Sequence, residues 1–248
     1  LLSDHGDGLG GAMLDITPAR RVMTLPEIQS ALTQAQAGGA HLDVLAMDAC
    51  LMGLIEDAYQ FRSLTDYYAA SQALQYMYVS GYAALPNAIT AATTPEQMAT
   101  LFMNAYADER GSADHTLSVA EMSRLDALVS ATNALAAALN TDLQANLPLI
   151  DSVLAQTLTF RQDDARRGIY IDLYDFARLL KAESGSTAIQ TAAQAVMDTV
   201  SAYIGGRNRH DDAANARAGG VSIFFPNDRS SFYDPARYDF AVGADWSR

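Results

Sequence analysis

An α/β fold built on a largely parallel sheet is the reading this sequence favours, and three observations carry it. Short apolar runs (42–47, 67–71, 116–120 and 219–225) alternate with longer stretches of helical pattern. Two of those stretches open on capping-box pairs, Thr24 with Glu27 and Thr94 with Gln97, which mark helix starts independently of periodicity. Half of the 248 residues are hydrophobic, enough for a sizeable core, so disorder is disfavoured and 1–248 fits one large domain, or two small ones at most.

In chain order, the first residues, Leu1-Leu2-Ser3, read as the end of a strand. A helix is predicted from Thr24 to near Gly38-Gly39, then a buried strand at Leu42–Met47, then a helix through Ile55, Ala58 and Tyr59. The run Tyr67–Ser71 reads as a strand. A helix follows through Leu101, Phe102 and Ala105, and then a strand at Thr116–Ala120. Ser123 is predicted to cap the alanine-rich helix through Leu139. Further helices are expected at 142–157, 172–182 and 186–204, then a late buried strand over 219–225 that Pro226 stops. The Arg- and Asp-rich stretches at 160–168 and 205–217 read as solvated connections.

Charge and composition exclude several functions. The formal net charge is −13, with Lys181 the single lysine, so a nucleic-acid backbone would be repelled. No apolar run approaches the roughly 18 residues needed to cross a bilayer. The single cysteine rules out an internal disulfide. One cysteine and four scattered histidines show no metal-ligand spacing.

That cysteine sits where chemistry is plausible. Asp48-Ala49-Cys50 lies just past the carboxyl end of a predicted buried strand, the edge at which α/β sheets bind ligands. His5 lies likewise just past Leu1-Leu2, and Gly6 and Gly8 after it let the backbone turn tightly. Two adjacent parallel strands would bring His5 and Cys50 together as a dyad, the imidazole taking the thiol proton and the thiolate attacking a carbonyl carbon. The backbone N–H groups of Gly6 and Cys50 could then hold the developing oxyanion. Alone, each residue has a plainer reading: a satisfied structural histidine and a small buried hydrophobe.

The order His-Gly after one strand and Asp-Ala-Cys after the next resembles the caspase-like arrangement. In detail the chain is similar to the clostripain family of bacterial cysteine peptidases. The similarity rests on Asp48-Ala49-Cys50-Leu51-Met52-Gly53 with Glu56, Tyr68-Ala69-Ala70-Ser71-Gln72, Ile171-Asp172-Leu173-Tyr174-Asp175-Phe176 and Gly220–Pro226. It implies an α/β/α sandwich of the caspase–haemoglobinase type. It also implies strands and helices upstream of the histidine strand, so the N-terminal part of the domain is expected to be missing and 1–248 to be its C-terminal major part. The abrupt start at Leu1 suggests the same.

The resemblance implies cleavage of a peptide or protein substrate after Arg or Lys. It places Asp48 at the base of the P1 pocket, with Ser71 and Tyr78 as further substrate-binding candidates. Tyr78 falls where relatives carry a second pocket acid, and the acidic residues usual in that segment are absent from Gln72–Gly81. Asp48 could instead cap the next helix or accept loop N–H groups. Members mature by self-cleavage between histidine and cysteine, where Arg20-Arg21 is the candidate site, an ordinary surface pair being the alternative. Some members need calcium, for which Asp4, Asp7 and Asp15 are candidates, although no EF-hand spacing is present. Secretion or a cell-surface location is the family expectation. Two competing readings remain: an inactive caspase-like binding module, and a thiol hydrolase of other specificity.

Overall fold

The computed structural model describes residues 1–17, 21–76, 80–161 and 169–225. The first half runs β1 (Leu2–Ser3), β2 (Ala12–Leu14), β3 (Val22–Met23), α1 (Leu25–Ala35), β4 (Leu42–Asp48), α2 (Ile55–Phe61), β5 (Thr65–Ala70), α3 (Leu85–Ala88) and α4 (Pro95–Arg110). It continues as β6 (Thr116–Glu121), α5 (Leu125–Asn140), α6 (Leu143–Leu154), β7 (Thr159–Arg161), β8 (Ile169–Asp172), α7 (Leu173–Glu183), α8 (Thr187–Ile204), β9 (Asn208–His210) and β10 (Ser222–Phe225).

The main sheet has the order β1-β4-β5-β6-β9. Strands β1, β4 and β5 are parallel, whereas β6 and β9 run antiparallel to their neighbours. The sheet is thus mixed, with the expected parallel strands at the end that carries His5 and Cys50. Strand pleating divides the core into two layers. Ala46, Ala69, Leu117 and Val119 pack with Phe102, Met103 and Tyr106 of α4 on one face. Leu45, Met47, Tyr68 and Ala70 pack on the other with α2, α5, α7 and α8. This is the α/β/α sandwich.

Both predicted capping boxes form, at Thr24–Glu27 and Thr94–Gln97. Two expectations are corrected. Ser123 does not cap α5; it lies in a 3-10 turn and its hydroxyl donates to Glu121, leaving that helix start without a side-chain cap. The 205–217 stretch is not merely a solvated connection. It contributes β9 to the main sheet, and Asp211 and Asn215 are buried beside it. The late strand expected over 219–225 forms at Ser222–Phe225 as β10 of a second, antiparallel sheet, β10-β8-β7.

Gln72 fastens that second sheet behind the Cys50 loop. Its Nε2 donates to Asp172 (2.9 Å) and Ser222 (3.1 Å), while its Oε1 accepts the Gly220 N–H (2.9 Å). No helix among the described residues is long and apolar enough to cross a membrane.

Candidate active site

Parallel pairing of β1 with β4 sets Leu2 beside Met47 and Ser3 beside Asp48. The Asp4 N–H continues the ladder to the Asp48 carbonyl at 3.2 Å. The two chain segments leave the sheet side by side at its carboxyl edge, carrying His5 and Cys50. Gly6 packs directly on the second segment. A Cβ there would lie 2.9 Å from the Ala49 Cβ, 3.0 Å from the Cys50 nitrogen and nearer still to the Cys50 carbonyl oxygen. Only glycine allows that approach. His5 is exposed and Cys50 half-buried. Among the described residues the N–H groups of Gly6 and Cys50 donate to no other group.

Both segments are held from behind. The Met13 N–H donates to the His5 carbonyl (3.0 Å) and the Asp7 N–H to the Gly11 carbonyl (2.9 Å), tying the histidine loop to β2. The Tyr170 hydroxyl donates to the Asp7 carbonyl at 2.9 Å. After Cys50 the chain turns sharply through Leu51, a non-glycine residue at φ +62°. Such a conformation persists only where surrounding contacts impose it. Here Leu51 is buried, its N–H donates to the Ala73 carbonyl (3.0 Å), and the Gly53 N–H donates to the Ser71 carbonyl (2.7 Å). The Gln75 N–H points at the Cys50 sulfur from 3.2 Å, and the thiol can donate to the Gln75 carbonyl at 3.4 Å.

Asp48 is buried one residue before the strand gives way to Ala49-Cys50. Its Oδ2 accepts the Ser3 hydroxyl at 2.8 Å and its Oδ1 the Tyr82 hydroxyl at 3.4 Å. Burial raises the Asp48 carboxyl above its usual range, and the two hydroxyls partly offset that. Neither hydroxyl stands out in the sequence. Ser3 lies inside the histidine segment, but Tyr82 is 34 positions from Asp48 and carries no local signal.

The other candidates distribute unevenly. Ser71 is fully buried; its hydroxyl donates to the Ala73 carbonyl and shares a 2.9 Å hydrogen bond with Thr116. Its side chain therefore braces the Cys50-facing loop from inside. Tyr78 and Arg20 lie outside the described residues. Arg21 is exposed at the start of the β3 segment and pairs with Glu27 at 2.7 Å.

The calcium candidates do not converge. Asp4 accepts the His5 N–H (2.6 Å), and both Asp15 oxygens are taken by Thr17. Among the described residues the one group of three potential ligands is His41, Asp43 and Asp66, all exposed and away from these aspartates in sequence. Among the described residues Asp4, Asp7 and Asp15 do not form such a group.

Solved structures of similar fold agree with this architecture. A secreted C11 cysteine protease from Bacteroides thetaiotaomicron, in complex with an irreversible peptide inhibitor, superposes with a TM-score of 0.67 at 20% identity, over 98% of this chain and 71% of that one. A B. fragilis cysteine protease gives a TM-score of 0.62 at 18% identity, over 95% and 97% of the two chains. A clostripain from B. thetaiotaomicron, in complex with the peptide inhibitor BTN-VLTK-AOMK, gives 0.58 at 12% identity, over 93% and 97%. No match was found among the curated proteins. The family model of the clostripain family matches residues 1–248. The sandwich, the two strand exits and the length of that match lead to one conclusion: the chain belongs to the clostripain family, whose members are cysteine-type endopeptidases.

Proposed function

We propose that this peptidase cleaves on the carboxyl side of lysine or arginine, using His5 and Cys50 as its dyad. The observation that carries the reading is the packing of Gly6 on Cys50, which holds the two strand exits together. In the first step the Cys50 thiol proton passes to the His5 imidazole and the sulfur attacks the scissile carbonyl carbon. The oxyanion that forms is met by the N–H groups of Gly6 and Cys50, each such donor contributing about 3 kcal/mol in comparable sites. The intermediate collapses, the C–N bond breaks and the leaving amine takes its proton from His5. Water, deprotonated by His5, then attacks the thioacyl carbon and releases the acid and the thiol.

Asp48 supports the basic preference, since a buried carboxylate beside the nucleophile suits a cationic P1 side chain. The peptide inhibitor bound by the B. thetaiotaomicron clostripain carries lysine beside its reactive group, which is consistent with such a pocket. Arg20-Arg21 is the proposed self-cleavage site, and export is the proposed location, by analogy with the secreted relative.

The test is labelling and turnover. A lysine acyloxymethylketone should modify Cys50, and Cys50→Ala and His5→Ala should each abolish hydrolysis of peptides with basic P1. Folded protein that neither labels nor cleaves would favour a binding module. Equal cleavage after apolar residues would favour a thiol hydrolase of other specificity. New N-termini after residue 20 or 21, absent in Cys50→Ala, would establish self-cleavage; an active but uncut protein would dispose of it.

A further inference from the structure

The surroundings of Asp48 go beyond a generic basic pocket, and the inference here rests on the P1 role proposed above. We infer that Tyr82, with Ser3, sets the pocket to lysine over arginine. A carboxylate receives a guanidinium best through two parallel N–H···O bonds, one to each oxygen on a shared edge. In this site neither oxygen is free of a partner: Oδ2 holds Ser3 and Oδ1 holds Tyr82. Each oxygen keeps one further acceptor position. A two-pronged fork needs both remaining positions on the same edge. An ammonium is a compact charge that needs one of them and can also donate to the phenol oxygen.

Tyr82 is built in rather than draped over the site. Its ring stacks on Phe102 of α4, with centroids 4.7 Å apart and planes 18° apart. The preceding residue, Gly81, presses on α4, where a Cβ would come within 2.8 Å of the Ala105 carbonyl oxygen. The Gly81 N–H donates to Glu109 at 2.6 Å. Burial and the neighbouring Asp48 raise the Tyr82 hydroxyl above its usual range, so it stays a neutral donor across the working pH. An arginine fork engages both carboxylate oxygens and so competes with this anchored hydroxyl and with Ser3; a lysine ammonium needs one remaining position only.

The experiment compares kcat/KM of the full-length protein on paired peptides differing only at P1. Wild type should favour lysine over arginine by roughly fivefold or more, the scale of one hydrogen bond's net contribution. Tyr82→Phe, which keeps the ring and its stacking, should shift the lysine-to-arginine ratio towards arginine by a similar factor. Ser3→Ala should shift it in the same direction. A purely structural role for Tyr82 would lower both rates and leave the ratio alone. Arginine preferred by wild type, or a ratio unmoved in both variants, overturns the inference while leaving the dyad standing. Absence of any Cys50-dependent cleavage after a basic residue would instead overturn the pocket reading, and this inference with it.

Discussion

Replacing Gly6 with alanine is the most direct test of how the two strand exits meet. The backbone angle at Gly6 is one any residue can adopt, so the substitution acts through contact rather than torsion. The new methyl would sit 2.9 Å from the Ala49 Cβ and nearer to the Cys50 carbonyl oxygen. Non-bonded carbons settle at about 3.5–4.0 Å. The His5 and Cys50 segments must therefore part by about 1 Å. A misplacement of that size between reacting groups costs roughly 100-fold in rate. Overpacking of this kind also costs about 1–3 kcal/mol of stability, which a folded domain of this size can absorb. The assay is kcat and KM on a fluorogenic peptide with lysine at P1, alongside circular dichroism and a thermal melt. The expectation is a kcat about 100-fold lower with a smaller change in KM. A folded Gly6→Ala protein within threefold of wild type would refute the packing argument and the oxyanion role with it.

Three further outcomes follow from buried polar groups around the same loop. Glu56 is fully buried, with Oε1 accepting the Phe224 N–H at 2.9 Å, and burial pushes its carboxyl up to about 8. A folded value above the unfolded 4.5 means its stability contribution is present below 4.5 and lost as pH rises through 8, up to about 5 kcal/mol. The urea midpoint should fall between pH 5 and pH 9, and Glu56→Gln should flatten that slope; a midpoint that rises with pH contradicts the assignment. Asp57 is also fully buried, and neither of its oxygens has a hydrogen-bond partner among the described residues. Asp57→Val should stabilise the protein by about 1–3 kcal/mol in equilibrium unfolding, the usual cost of an unsatisfied buried polar group. A lower midpoint would show that the carboxyl contributes more than its burial costs. Gln72→Leu strands the Gly220 N–H and removes a donor from Asp172 and Ser222, so it should lower stability by about 3 kcal/mol in a thermal melt.

Much of the candidate site was legible in the chain. Strand ends, capping boxes and glycine placement are encoded in neighbouring residues, so local pattern alone sets His5-Gly6 and Asp48-Ala49-Cys50 at strand exits. The α/β class followed from the same local patterns. Strand direction did not, because an apolar run such as Thr116–Ala120 reads alike either way. Only its pairing with β5 fixes it as antiparallel. The same holds for 222–225, whose hydrophobicity marks burial but not which sheet receives it.

Side-chain direction was equally out of reach. Ser71 sits in a motif that suggests substrate contact, yet its hydroxyl is turned inward to Thr116, 45 residues away in sequence. Tyr82 is one aromatic among several in the chain, and the stack on Phe102 and the packing of Gly81 on α4 bring its hydroxyl to Asp48. The sequence by itself determined which elements form and which residues stand at their ends, because those depend on interactions within a few residues. The tertiary structure decided what those residues face, because hydrogen bonds and ring contacts across 20 to 150 positions exist only once the layers have closed.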